Sequence, residues 1–298
     1  MKRILWSMFS LLMLIVGCKE ETPQVDPPPP PPPMAFELPA IENKGYDFTA
    51  ADTDGWEVLW DESFDNDLTD WTVWRGGAFN NELQFYRSSN LFVENDYLYI
   101  RQLRGSVSGP TNPFDQTTKA FSFSSGRIES NEEFGPTKNG GTIRMAARIK
   151  LPEGEGLWPA FWSYNDPWPT RGELDALEAR GGNPSVYQTN FHFGVNEGQL
   201  DTNPAAQEFV YDNGSSLADE FHVYELIWAQ NTFTVRFDGQ DIHTYDVSEF
   251  EYVDDFYDKA HRIVLNLAVG GDFFGNLNEA DIPNESYMVV DWVKILKQ

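Results

Sequence analysis

Three carboxylates crowd a short run of the chain: Glu173, Asp175 and Glu178 in GELDALEARGG, residues 172–182. Their usefulness together depends on the backbone that carries them. On a helix Glu173 and Glu178 are five positions apart and diverge by about 140°. On a regular strand Glu173 and Asp175 share a face, and Glu178 falls on the other. One extra residue in the strand, a β-bulge, returns Glu178 to the shared face. Three like charges at such quarters push their pKa values apart, which is costly in a merely structural surface. The chemistry that uses such a cluster is glycosidic bond cleavage, where one carboxyl must stay protonated. In the retaining version the two carboxyls stand about 5–5.5 Å apart, one attacking carbon and one serving the leaving oxygen. The bland alternative is a solvated strand face whose charges pair with Arg171 and Arg180. The residues alone do not say which glutamate would play which part.

The surrounding chain supplies strands to carry such a bulge. LYIRQLR, GTIRMAARIKL, FTVRFDG, HRIVLNLAV and YMVVDWVKIL alternate or run apolar over strand lengths, between Gly, Asn, Asp and Pro turns. TVRFDGQDIHTYD reads as a hairpin turning at Asp238-Gly239. SLADEFHVYEL is the best helical candidate and reads equally as a loop running into a strand. So many strands in one domain predict an all-β fold, a β-sandwich jelly roll of two antiparallel sheets with a concave groove. Residues are 41% hydrophobic and 15% aromatic, more rings than such a core needs, so some are expected in the groove. A net charge of −26 disfavours nucleic acid and anionic ligands and points to a neutral one.

The N-terminus has a separate logic. Lys2 and Arg3 precede an apolar run from Ile4 to Gly17, too short to span a bilayer comfortably and placed as an export signal. It ends at Cys18, the only cysteine, and resembles a bacterial lipoprotein signal in which that cysteine is lipidated. A signal peptide over 1–18 and an acidic, proline-rich linker over 19–44 are therefore expected, with the folded domain over 45–298. Pro27 to Pro33 form a stiff spacer of about 20 Å. The implied location is the cell envelope, lipid-anchored at the outer membrane, and the acidic residues after the cysteine resemble a surface-export signal, which implies surface exposure. A monomer is expected.

GELDALE resembles the signature of glycoside hydrolase family 16 in its β-bulge form. WDESFDNDLTDWTVW, NNELQFYRSSNLFVENDYLYI, FSSGRIES, RMAARIKLPEGEGLWPAFW, FHFG, LNLAVGGDFFG and VVDWVKIL follow that family's order. The resemblance covers roughly residues 55–298, and laminarinase-like members are the nearest pattern. It implies that Glu173 is the nucleophile, Asp175 its electrostatic helper and Glu178 the general acid/base. Trp158 and Trp168 are expected to face the groove, and Trp162 to sit in the core or at the groove floor. Stacking of sugar C–H faces on such rings suits a neutral glycan. His192 matches a family histidine that contacts substrate, and Asn81 one that reaches substrate hydroxyls. Arg127 is a further groove candidate, with simple pairing to a carboxylate as its alternative. The resemblance also implies an optional structural calcium with Asp291 and, more weakly, Glu62 as ligands, whereas catalysis needs no cofactor. Phe273 and Phe274 depart from the pattern where relatives often carry a tryptophan. The implied substrate is laminarin-type β-1,3-glucan. Mixed-linkage glucan, an agarase-type galactan and a purely glycan-binding role are the alternatives.

Overall fold

The computed structural model describes residues 37–65 and 67–298. The signal, Cys18 and the polyproline run lie outside the described residues. The chain divides into two units, Met1–Ile41 and Glu42–Gln298. Only residues 37–41 of the first are described, and all that follows concerns the second.

Among the described residues the strands form two sheets, of ten and seven. The larger runs Gln240–Asp246, Thr232–Phe237, His222–Trp228, Ile143–Lys150, Glu285–Lys297, Tyr97–Pro110, Thr118–Ser125 and Gln84–Tyr86, with two further strands paired onto it. The smaller runs Phe209–Asp212, Val186–His192, Glu173–Ala179, Leu157–Tyr164, Arg262–Val269, Arg127–Ser130 and Trp71–Val73. The sandwich expected from alternation is present, with one departure from antiparallel pairing. Gln84–Tyr86 lies parallel to Thr118–Ser125. Asp238 and Gly239 turn the expected hairpin with positive φ values of 47° and 75°. SLADEFHVYEL resolves as a loop running into the strand His222–Trp228.

Alternation builds the core. In Thr232–Phe237 every second residue, Phe233, Val235 and Phe237, is buried. Phe233 meets Phe191 from the smaller sheet edge-to-face at 5.5 Å, and Tyr245 meets it at 5.3 Å. Leu174, Ala176 and Leu177 of the three-carboxylate strand join this same core. That strand is thereby anchored by its apolar residues while its carboxylates face the other way. Gly172 starts it at φ +85°, and a Cβ there would come within 2.2 Å of the Phe256 ring, so only glycine fits.

Candidate active site

The strand Glu173–Ala179 carries the bulge that the spacing of its carboxylates demands. Against Leu157–Tyr164, Asp175 pairs with Trp162 but Leu177 with Phe161, which leaves Ala176 as the extra residue. Against Val186–His192, Asp175 pairs with Asn190 and Glu178 with Gln188. Three steps on one strand thus match two on the next, and Glu178 returns to the face of Glu173 and Asp175.

Register then lays out that face in rows. Gln188, Glu178, Ala160, Asn266 and Arg127 line up across five strands. The neighbouring rows hold Asn190, Asp175 and Trp162, then His192, Glu173 and Tyr164. Alanine is the small member of the first row, flanked by Glu178 and Asn266.

Each glutamate has its own indole donor. Trp168 Nε1–H donates to Glu173 Oε2 at 2.9 Å, and Trp158 Nε1–H to Glu178 Oε1 at 3.1 Å. Both tryptophans are half-buried, so they act on the carboxyls directly as well as shaping the surface around them. His192 Nε2 lies 3.2 Å from Asp175 Oδ2 and 3.6 Å from Glu173 Oε1. Glu173, Asp175 and His192 are also the one metal-capable trio among the described residues, with ligand atoms within 4.8 Å of one another.

Charge decides what this trio does. Burial, then the Asp175 charge, pushes Glu173 up to about 7 and Glu178 up to about 8. His192 is pushed to about 9: burial opposes its charge, but the close Asp175 carboxylate and the charges of Glu173 and Glu178 outweigh it. An imidazolium therefore already compensates the buried carboxylates near neutrality. Both glutamates are thereby able to hold a proton close to neutrality. Arg171 and Arg180 form no ion pair with the three carboxylates among the described residues.

The remaining sequence candidates are distributed as follows. Trp162 Nε1–H donates to Asn266 Oδ1 at 2.7 Å, placing its ring on the site face. Arg127 is buried, pairs with Glu129 at 2.6 Å and lies over the rings of Trp74 and Trp162 at 4.2 and 4.8 Å. Its donors serve Glu129, as the alternative reading of this residue has it. Asn81 is exposed and donates through Nδ2 to both carboxylate oxygens of Asp272 at 3.0 Å, so its amide is engaged by a loop of the protein. Asn266 and Gln188 were not singled out from sequence. Asn266 did leave a signal, as the only polar residue within IVLNLAV. Glu82 is a further buried carboxyl, pushed up to about 7 by burial and bonded by Gln84 and Tyr86.

Asp291 and Glu62 do not fit a calcium site. Glu62 accepts the Phe64 amide at 2.7 Å on one oxygen and the Trp71 indole at 2.9 Å on the other. Asp291 Oδ2 faces Arg148 Nη1 at 2.5 Å. The same guanidinium donates to Asn43 Oδ1, Tyr46 O and Lys44 O at 2.6, 2.7 and 3.1 Å. A fixed cation already fills that oxygen-rich nest. Arg148→Met is expected to destabilise the fold by about 3 kcal/mol, because it strands Asp291 with three backbone or amide oxygens facing no donor. Urea unfolding checks this, and a loss below about 1 kcal/mol would show the nest to be solvated instead.

Two half-buried carboxyls kept partly protonated near neutrality, each gripped by a tryptophan, are equipment for cutting glycosidic bonds. Comparison with known proteins agrees. The profile of glycosyl hydrolases family 16 matches residues 82–294, and the chain belongs to that family. Glucan endo-1,3-beta-glucosidase A1 of Niallia circulans is 31% identical over 84% of this chain. The match spans only 36% of that relative's length. Glucan endo-1,3-beta-glucosidase of Cryptopygus antarcticus is 33% identical over 78% of the chain and 86% of its own length. The X-ray structure of endo-beta-1,3-glucanase from Pyrococcus furiosus superimposes with a TM-score of 0.69, at 28% identity, over 81% of this chain and 94% of that one.

Proposed function

We propose that the protein is an endo-acting, retaining hydrolase of β-1,3-glucan of the laminarin type. The observation that carries this reading is the bulged strand, which presents Glu173 and Glu178 on one face, where burial and the Asp175 charge raise both carboxyls. The names of the relatives support the choice of linkage, and the strongly acidic chain suits a neutral polymer.

In this mechanism Glu173 attacks the anomeric carbon as ionised carboxylate while the bond to the leaving oxygen breaks. Glu178 delivers its proton to that oxygen, so the departing sugar leaves neutral. Water then attacks the glycosyl–Glu173 ester, giving a proton back to Glu178 and releasing Glu173. Trp168 and His192 hold Glu173 and disperse its charge, the indole by hydrogen bond and the imidazolium through space. Asp175 keeps His192 charged and holds the proton on Glu178.

Reducing-end release tests the reading, with laminarin, barley mixed-linkage glucan and agarose as parallel substrates. A ladder of oligosaccharides from laminarin alone supports it. Cleavage of agarose without either glucan would keep the glutamates and overturn the substrate. We also infer a lipid anchor on Cys18, which the residues Lys2 to Cys18 support. Loss of labelled fatty acid in Cys18→Ala is the expected result, and undiminished labelling would refute it.

A further inference from the structure

Trp158 meets Glu178 with its edge, and its flat face is taken. Phe273 lies over it with ring centroids 4.1 Å apart and planes 6° from parallel. The Arg180 guanidinium sits 3.7 Å from the centre of the same Phe273 ring. Two groups so close to one ring centre cannot share a face, so Phe273 is sandwiched between them.

Arg180 is itself held at both ends. Its Nε donates to the Phe273 carbonyl at 3.1 Å, and its Nη1 donates to Gln188 Oε1. Gln188 stands beside Glu178 in the strand register. Strand pairing of Glu178 with Gln188 and side-chain contacts through Arg180, Phe273 and Trp158 thus lead from Glu178 back to Glu178. The loop bearing Phe273 is latched from outside. The Asp272 amide donates to Asn80 O at 2.8 Å, and its carboxylate accepts from Asn81. This also gives the loop that departs from the family pattern a definite task.

We propose that Phe273 and Arg180 are positioning residues for Glu178, their stack fixing the Trp158 indole so that one carboxyl oxygen is tied and the other is aimed at the glycosidic oxygen. The proposal rests on the reading of Glu178 as general acid. Flat faces and a delocalised guanidinium suit the task, because stacking restrains the tilt of a ring in a way that aliphatic packing does not. Without the stack the indole is free to swing, and Glu178 loses both its aim and the donor that favours its ionised form.

The test uses Phe273→Leu and Arg180→Met, which keep apolar bulk and remove the flat partner, with Glu178→Gln beside them. Two substrates separate the roles: laminarin, whose sugar leaving group needs a proton, and the 2,4-dinitrophenyl glycoside of laminaribiose, whose leaving group does not. Both stack variants are expected to lose about tenfold or more in kcat/KM on laminarin, and clearly less in kcat/KM on the dinitrophenyl substrate, since kcat/KM reports the bond-breaking step and not the later water attack that also uses Glu178. The basic limb of their pH profile should move to higher pH, since the lost indole donor had favoured ionisation. Equal losses on both substrates, or none on either, would overturn the proposal. If Glu178→Gln also lost equally on both, the reading of Glu178 itself would fall. If it alone showed the contrast, only the stack would be refuted.

Discussion

Glu173→Gln is expected to stop laminarin hydrolysis, with kcat lower by about 10⁴-fold or more, because a nucleophile acting with its partners carries most of the rate. The substitution is nearly isosteric. The Trp168 indole, 2.9 Å from Glu173 Oε2, can still donate to an amide oxygen, so the strand and its surroundings should hold. An amide cannot form the glycosyl ester, and no neighbour can take over. Asp175 is buried and committed to His192, and Glu178 lies at the far side of the bulge. Glycan binding should persist within a few-fold, as the aromatic rings are untouched. Reducing-end assays together with retardation in laminarin-containing gels read the two quantities separately. A variant retaining a tenth of wild-type turnover would remove Glu173 from the nucleophile's role.

Glu178→Gln should cost about 10²–10⁴-fold on laminarin, the range for a lost general acid. Its distinguishing mark is in the pH profile. Turnover needs Glu173 ionised and Glu178 protonated, and both groups are raised into the neutral range by burial and by Asp175. The wild-type profile of kcat/KM should therefore be a narrow bell near neutrality, its limbs belonging to the coupled carboxyls together. Without the titrating acid the basic limb should vanish and the acid limb remain. A wild-type optimum at pH 4–5, or a basic limb intact in the variant, would show that Glu178 does not hold the working proton.

The bulge was legible because it is a matter of parity. Five positions separate Glu173 from Glu178, and one face can hold both only if the strand takes on Ala176 as an extra residue. The strands announced themselves through alternation, and the tryptophans through their density around the motif. What the sequence hid is side-chain direction over long separations. Nothing local says that Trp158 points its N–H at Glu178, or that Arg180, just past the end of the strand, reaches a phenylalanine 93 positions away. Arg127 and Asn81 each have the chemistry to meet a sugar, yet Glu129 and Asp272 engage them first. Asp291 reads as a cation ligand, and the cation it meets is Arg148 of the neighbouring strand.

The raised pKa of Glu178 means that its activity is held at the expense of the fold. Unfolded, the group releases its proton near its ordinary value of 4.5; folded, it keeps it until about pH 8. Between those limits the folded state binds the extra proton, so stability falls as pH rises. Replacing Glu178 by glutamine removes that penalty, and the advantage of the variant in urea should widen from pH 5 to pH 8. A constant difference would mean that the carboxyl ionises freely in the sheet. Inactivated copies of this domain are thus expected to outlast active ones in alkaline surroundings, and durability alone would be a misleading guide when choosing variants.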